Sequence, residues 1–418
     1  MKISRLVARE IYDSLGWPTI GCDLYLDNGM YVTASVPSGT SKSKFEAIEL
    51  RDGGTRLGGQ GVLKAIENIE HVIAPAVLGQ EPDVIAMDLR LLELDGTDNK
   101  SILGANATLA VSMAVARAQA LINDIDLYEL IAHICEIESV SLPFPMFNLI
   151  EGGVHADNGL AIQEFMIMPV GAQSFREAME CAVAVYHMLG KVLQKRGKLI
   201  AVGAEGGYSS EFEDEHEALD LLMEAIEKAE TEDETEGVLA LDIAASQFYN
   251  PKTKKYMWKG KNISSQNLIE IYAQLAEKYP LYSIEDGMAE TDYDGWITMM
   301  DAFGQDLQIV GDDLFATHPV RIMEGVTHGY ANAAIIKPNQ IGTVTETLQA
   351  IKLCKTHEIN TIVSHRSGET DDTFIVDLAL GSCSGQIKAG GVTRGERLAK
   401  YNHMLSIEDI LMRSMLGI

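Results

Sequence analysis

From Leu239 onward one pattern repeats, a short apolar run followed by an amphipathic helical stretch, and this repeat constrains the fold more than any other feature. The runs are Leu239-Ala240-Leu241, Leu281-Tyr282-Ser283-Ile284, Leu307-Gln308-Ile309-Val310, Ala333 to Ile336 and Thr361-Ile362-Val363. Runs this short, divided by helical stretches, imply repeated βα units and a parallel sheet or barrel. An ionisable residue stands at the end of each run. Asp242 closes LALD, Glu285 closes LYSIE, Asp312 follows QIVG, Lys337 follows AAII, His365 and Arg366 follow TIVS, and Lys388 follows GQI. The steps between them are 43, 27, 25, 28 and 23 residues, most of them one βα unit. Residues in phase at the same end of successive strands lie, in a (β/α)8 barrel, on the face where active sites are built.

The first part of the chain reads differently. Leu24-Tyr25-Leu26 runs into Asp27-Asn28-Gly29, a turn signal, and Met30 to Val36 alternates like a returning strand. From about residue 60 to 135, Ala, Leu, Ile and Val recur at helical spacing. The expected architecture is α/β: a small α+β N-terminal domain over residues 1–135, then a (β/α)8-type barrel over 140–418. The break falls at Ser141-Leu142-Pro143-Phe144-Pro145. A length of 418 residues is consistent with two cores.

Net charge is −28, from 61 acidic and 33 basic side chains. Such a surface repels phosphate backbones and anionic lipid, so neither nucleic acid nor membrane is an expected partner. The most apolar long stretch, Ile102 to Ile122, contains Asn106 and Arg117 and reads as a buried Ala-rich helix. The five cysteines lack any C-x-x-C spacing and read as buried thiols rather than a disulfide framework or zinc site. The N-terminus shows no apolar leader stretch, so a cytoplasmic location is expected. Glu211 to Glu236 carries thirteen carboxylates and one lysine, and reads as a solvated helix followed by an acidic turn.

Asp242, Glu285 and Asp312 are three hard oxygen donors with no His or Cys among them, a set suited to Mg2+. Ion pairing with Lys337 and Lys388 is the alternative. Two further carboxylates are expected in loops, Glu164 in IQEFM and Glu205 in VGAEGGY, and His155 lies in GGVHADN.

These residues, in this order, resemble the enolase family. The stretches that carry the resemblance include AREIYDS, PSGTS, LDGTDNKSILGANA, GGVHADN, AEGGY, YPLYSIEDG, IVGDDLF, IIKPNQIGT, VSHRSGETDD and GQIKAGGVTRGERLAKYN, within positions 8–402. The resemblance implies the Mg2+-dependent dehydration of 2-phosphoglycerate to phosphoenolpyruvate in glycolysis and gluconeogenesis, with two Mg2+ ions per site. It implies Asp242, Glu285 and Asp312 as ligands of the first ion and Ser41 as a ligand of the second, bridging to substrate phosphate. It implies Lys337 as the base at C2, and Glu205 assisted by Glu164 at the departing hydroxyl, with Gln163 beside them. Arg366 and Ser367 would bind phosphate, Lys388 the carboxylate, and His155 and His365 would close around the substrate. A lysine base calls for a lowered pKa, expected from Lys388 and Mg2+, and an acid at Glu205 for a raised one, expected from Glu164.

The chain departs from the family pattern at several places. GDEGG is here Gly203-Ala204-Glu205-Gly206-Gly207, and the family's Asn before the His-loop glycines is Glu151. Glu151 is expected to replace, in space, the carboxylate lost at Ala204. Lys42 and Lys44 make the PSGTS loop more basic, which would tighten phosphate binding or suit another phosphorylated acid. The resemblance implies a homodimer or larger homo-oligomer, although Leu15 and Trp17 stand where family dimer contacts begin. The alternatives are a paralogue acting on a related phospho- or phosphono-carboxylate, and a non-catalytic surface binding protein.

Overall fold

The computed structural model describes residues 1–229 and 237–416. Strands β1 (Ile3–Tyr12), β2 (Pro18–Leu26) and β3 (Tyr31–Ser35) form an antiparallel sheet in that order. The turn between β2 and β3 is where the sequence signals it. Asn28 Oδ1 accepts from the Met30 N–H at 3.0 Å, and Gly29 takes φ +87°, which costs a residue without Cβ little. Helix Ala105–Ile122 packs on this sheet through a buried face of small residues. It is long and apolar enough to cross a membrane, but 78% of it is buried inside the protein.

Three more strands follow: β4 (Phe144–Glu151), β5 (Glu164–Met168) and β6 (Val238–Asp242). A small three-stranded excursion comes next, β7 (Tyr249–Asn250), β8 (Lys255–Trp258) and β9 (Lys261–Ile263). The chain then makes β10 (Leu281–Glu285), β11 (Gln308–Gly311), β12 (Ala333–Ile336), β13 (Asn360–Ser364) and β14 (Gly385–Lys388). Eight of these close into a barrel in the order β4-β5-β6-β10-β11-β12-β13-β14. Helices Ser265–Lys278, Tyr293–Phe303, Pro319–His328 and Val344–Thr356 fill the crossovers, each starting at a side chain that accepts a backbone N–H: Ser264, Asp292, His318 and Thr343.

The barrel is not wholly parallel, as the repeat alone suggests. β5 runs antiparallel to both β4 and β6. The link from β4 to β5, residues 152–163, holds only the short turn Gly153–His155. A parallel neighbour requires a crossover, usually a helix, so the chain turns straight back. This reversal corrects the expected loop position of Glu164. It is the first residue of β5, and so lies at the same mouth as the last residues of the other strands.

Met146, Met166, Met168, Ala240, Val310, Ala333, Ile335 and Ile362 fill the barrel interior. The N-terminal domain is fastened to the barrel by directional contacts. Arg117 makes two bonds to Asp372, at 2.6 and 2.7 Å, and Asp88 Oδ2 accepts from Thr345 N at 2.8 Å. The acidic segment forms helix Glu215–Lys228, capped by Asp214, while the acidic turn expected at 230–236 lies outside the described residues. All five cysteines are free; Cys22, Cys181 and Cys354 are buried, but Cys135 and Cys383 are only half-buried.

Candidate active site

The mouth of the barrel collects the ionisable residues that the repeat placed in phase. Asp242, Glu285 and Lys388 end β6, β10 and β14. Asp312, Lys337 and His365 directly follow β11, β12 and β13. All of these except Lys337 are buried, and Lys337 is half-buried. In a ring of eight strands, β12 and β5 stand four places apart, so Lys337 and Glu164 face each other across the mouth.

Lys388 Nζ lies 2.8 Å from Glu285 Oε2, 3.0 Å from Asp242 Oδ2 and 3.1 Å from Glu164 Oε2. Burial works against its charge, but these three carboxylates outweigh it and hold the lysine well above its ordinary pKa. Glu285 is pushed up to about 8 by burial and by Asp242. Lys337 pairs with Asp312. Burial disfavours the Lys337 cation, yet contact with Asp312 prevails and raises its pKa. Asp312 is correspondingly lowered, because Lys337 overcomes its own burial.

On the other arc, His155 Nδ1 lies 3.7 Å from Glu205 Oε2 and 3.9 Å from Glu164 Oε1, and His365 Nε2 lies 3.6 Å from Glu205 Oε2. The expected raised pKa belongs to Glu164 rather than to Glu205. Burial, with Glu205 adding to it, raises Glu164 well above the carboxylate range despite Lys388. Burial also opposes the charge on Glu205, but His155, His365, Arg397 and Lys388 surround it and hold it low. Two close carboxyls titrate as one unit, and burial beside Glu205 raises the proton affinity of Glu164. Gln163 Nε2 reaches Asp242 Oδ2 at 3.4 Å, and its Oε1 is buried without a partner.

Sequence reasoning gave no role to three residues that build this arc. Arg397 is fully buried and donates to His365 Nδ1, Arg366 O and Ser367 O at 2.6, 2.6 and 2.7 Å. Asn148 Nδ2 approaches Glu205 Oε2 at 3.4 Å. Glu46 holds Arg366, with Nη1 to Oε2 at 3.0 Å. Arg397 and Glu46 both fall in stretches that carry the family resemblance, which was the available signal. Glu151, singled out as a departure, puts Oε1 under the glycine loop, where it accepts from Glu205 N at 2.9 Å and Gly207 N at 2.8 Å. A Cβ on Gly203 would overlap that carboxylate, so a carboxylate does lie beneath the loop that lacks one at Ala204. Burial and repulsion from Glu205 push Glu151 up to about 8.

The PSGTS loop lies across the mouth. Ser38 and Gly368 form a β-bridge, and the Ser367 hydroxyl meets Thr40 N at 3.0 Å and Thr40 Oγ1 at 2.7 Å. Ser41 O accepts from Arg366 Nη2 at 3.0 Å. A Cβ on Gly39 would overlap the Arg366 guanidinium, which would have to shift to make room. Lys42 and Lys44, expected to make this loop more basic, both have carboxylate partners. Lys42 pairs with Glu49, and Lys44 lies 3.6 Å from Glu290.

The donors at this mouth suit a hard divalent cation. They are carboxylate oxygens, and Glu285 Oε1 and Glu164 Oε2 are buried with no hydrogen-bond partner. Among the described residues, the sets whose donor atoms all lie within 4.8 Å of one another are Asp286, Asp312 and Asp313, and His155, Glu164 and Glu205. The acidic clusters can therefore hold a metal ion. Asp242 and Glu285 instead gather around the Lys388 ammonium, which occupies the space between them.

Comparison with protein families agrees with this architecture in both parts. Residues 3–131 match the enolase N-terminal domain, and residues 139–415 match the enolase C-terminal TIM barrel domain. Together these cover nearly the whole chain, and the protein belongs to the enolase family.

Proposed function

We propose that this lyase-type enzyme catalyses the reversible dehydration of 2-phosphoglycerate to phosphoenolpyruvate. The observation that carries the reading is the opposition of Lys337 and Glu164 across the barrel, an amine on one side and a carboxyl of raised proton affinity on the other. Elimination across a carbon–carbon bond needs both, one to take a proton from C2 and one to protonate the hydroxyl leaving C3.

Lys337 Nζ, in its neutral form, accepts the C2 proton and becomes ammonium. The electron pair moves into the carboxylate as an ene-diolate, then returns to form the C2–C3 double bond as hydroxide departs. Glu164 gives its proton to that hydroxide, and water leaves. Glu205 stays anionic between His155 and His365 and keeps the proton on Glu164. Lys388 offers a fixed cation to the substrate carboxylate, while Arg366 and Ser367, facing Ser41 and Thr40, offer donors to the phosphate. Two Mg2+ ions, one held by Asp242, Glu285 and Asp312 and one helped by Ser41, would supply positive charge for the ene-diolate and draw the Asp312 charge away from Lys337. With less of that counter-charge, Lys337 would hold its proton less tightly.

The test is product formation from 2-phosphoglycerate with Mg2+, followed by ultraviolet absorbance of the enol phosphate. Turnover that a chelator abolishes supports the reading. A folded, Mg2+-binding protein with no turnover overturns it in favour of another phosphorylated or phosphono-carboxylate.

A further inference from the structure

The contact between Arg397 and His365 fixes something that the positions of the two residues alone do not reveal. A histidine ring has two nitrogens, and in its neutral form one carries hydrogen and the other a lone pair. A guanidinium has only donors and cannot serve as an acceptor. Arg397 Nη1 lies 2.6 Å from His365 Nδ1. A hydrogen on Nδ1 would point at another hydrogen at that distance, so Nδ1 must present its lone pair. Turning the ring over would bring a C–H against the guanidinium and leave an Arg397 donor unused. The other partners of Arg397 are the backbone oxygens of Arg366, Ser367 and, at 3.4 Å, Ala204, with the Glu396 carboxylate 3.6 Å from Nε, and all of these accept only. Arg397 is itself fully buried, so water does not compete for these bonds.

The ring hydrogen must then be on Nε2, which faces Glu205 Oε2 at 3.6 Å. We propose that Arg397 is a positioning residue that fixes His365 in the tautomer with its hydrogen on Nε2, so that an N–H rather than a bare nitrogen confronts Glu205. A bare nitrogen there would set two lone pairs against each other and would favour a proton on Glu205, displacing it from Glu164. The nitrogen that carries hydrogen is decided by the bond made at the opposite nitrogen, and here that bond is to an arginine.

The catalytic half of the inference rests on the dehydratase reading, whereas the tautomer does not. The first arm of the test is therefore spectroscopic and needs no substrate. Histidine-selective 15N labelling of the wild-type protein, with His365→Gln to assign the signal among ten histidines, reports which nitrogen of His365 bears hydrogen. An Nε2-bound hydrogen is expected, and an Nδ1-bound one overturns the proposal. In the second arm, Arg397→Met is expected to give mixed tautomers at His365. It is also expected to lower kcat on 2-phosphoglycerate by at least ~10-fold with KM within about twofold, the scale of one acid–base contribution. A folded Arg397→Met protein that keeps the Nε2 tautomer and full kcat overturns the role of the arginine. If the methionine variant does not fold, the wild-type spectrum still decides the tautomer, and Arg397→Gln, whose amide can accept as well as donate, repeats the kinetic comparison. If wild type shows the Nε2 tautomer but no turnover, the substrate assignment fails and the tautomer stands.

Discussion

The two arcs of the barrel mouth carry similar side chains in opposite electrical states. On the arc from β6 to β12 the charges have partners: Lys337 sits on Asp312, and Lys388, at the end of β14, reaches Glu285 and Asp242 as well as Glu164. On the arc around β5 and the glycine loop, carboxyls crowd one another, with Glu164 close to Glu205 and Glu151 beneath both. Pairing favours the charged form and crowding the protonated one, and Glu285, pushed up to about 8 by burial and Asp242 despite Lys388, feels both. The difference shows that residue type does not fix the acid and base here; the neighbours of each group do.

Lys337→Ala should break the comparison most sharply. It removes the group proposed to take the C2 proton, so turnover should fall by roughly 10²–10⁴-fold, and exchange of the C2 hydrogen with solvent should disappear with it. Glu164→Gln and Glu205→Gln attack the other arc. Dehydration should fall over a similar range of about 10²–10⁴-fold, but C2 exchange measured in deuterated water should survive. Loss of exchange in the glutamine variants would mean that the arcs do not work separately.

Stability offers smaller effects. Glu46→Ala leaves the buried Arg366 charge without its carboxylate and should cost about 3–5 kcal/mol in denaturant unfolding. Removing Glu93, exposed beside Arg90, should cost under about 0.5 kcal/mol, which separates buried from exposed pairing.

Glu151→Gln gives the finest test, through pH. The Glu151 carboxyl is raised from 4.5 to about 8 on folding, so between those values the folded protein binds more protons than the unfolded chain. Its contribution to stability is therefore present at low pH and diminishes as pH rises through this window. A glutamine keeps the acceptor under Glu205 and Gly207 without titrating. The melting temperature of the variant relative to wild type should climb from about pH 5 to about pH 8. A flat difference would show that Glu151 is not crowded in the way the geometry requires.

Much of the fold was legible because hydrophobic period and turn chemistry are local. The Asn28-Gly29 turn, the helix from Ala105, and the strands ending at Asp242, Glu285 and Gly311 are decided by residues within a few positions of one another. The strand direction of β5 was not legible, since an apolar run such as Glu164–Met168 reads equally well in either sense, and only the lack of a crossover helix settles it. Arg397 and Glu46 were hidden for a related reason. Each is a charge whose purpose is a partner more than thirty residues away in the chain.

The sequence by itself determined the two-part architecture, the phase that carries Asp242, Glu285, Asp312, Lys337, His365 and Lys388 to one mouth, and the family to which these motifs belong. Only the tertiary structure decided that burial raises Glu164 while Glu205 is held low, that Lys337 rests against Asp312, and that Lys42 and Lys44 meet Glu49 and Glu290. Periodicity is a property of neighbouring residues along the chain. Proton affinity is set by burial and by charges a few ångströms away in space, and those distances exist only once the barrel has closed.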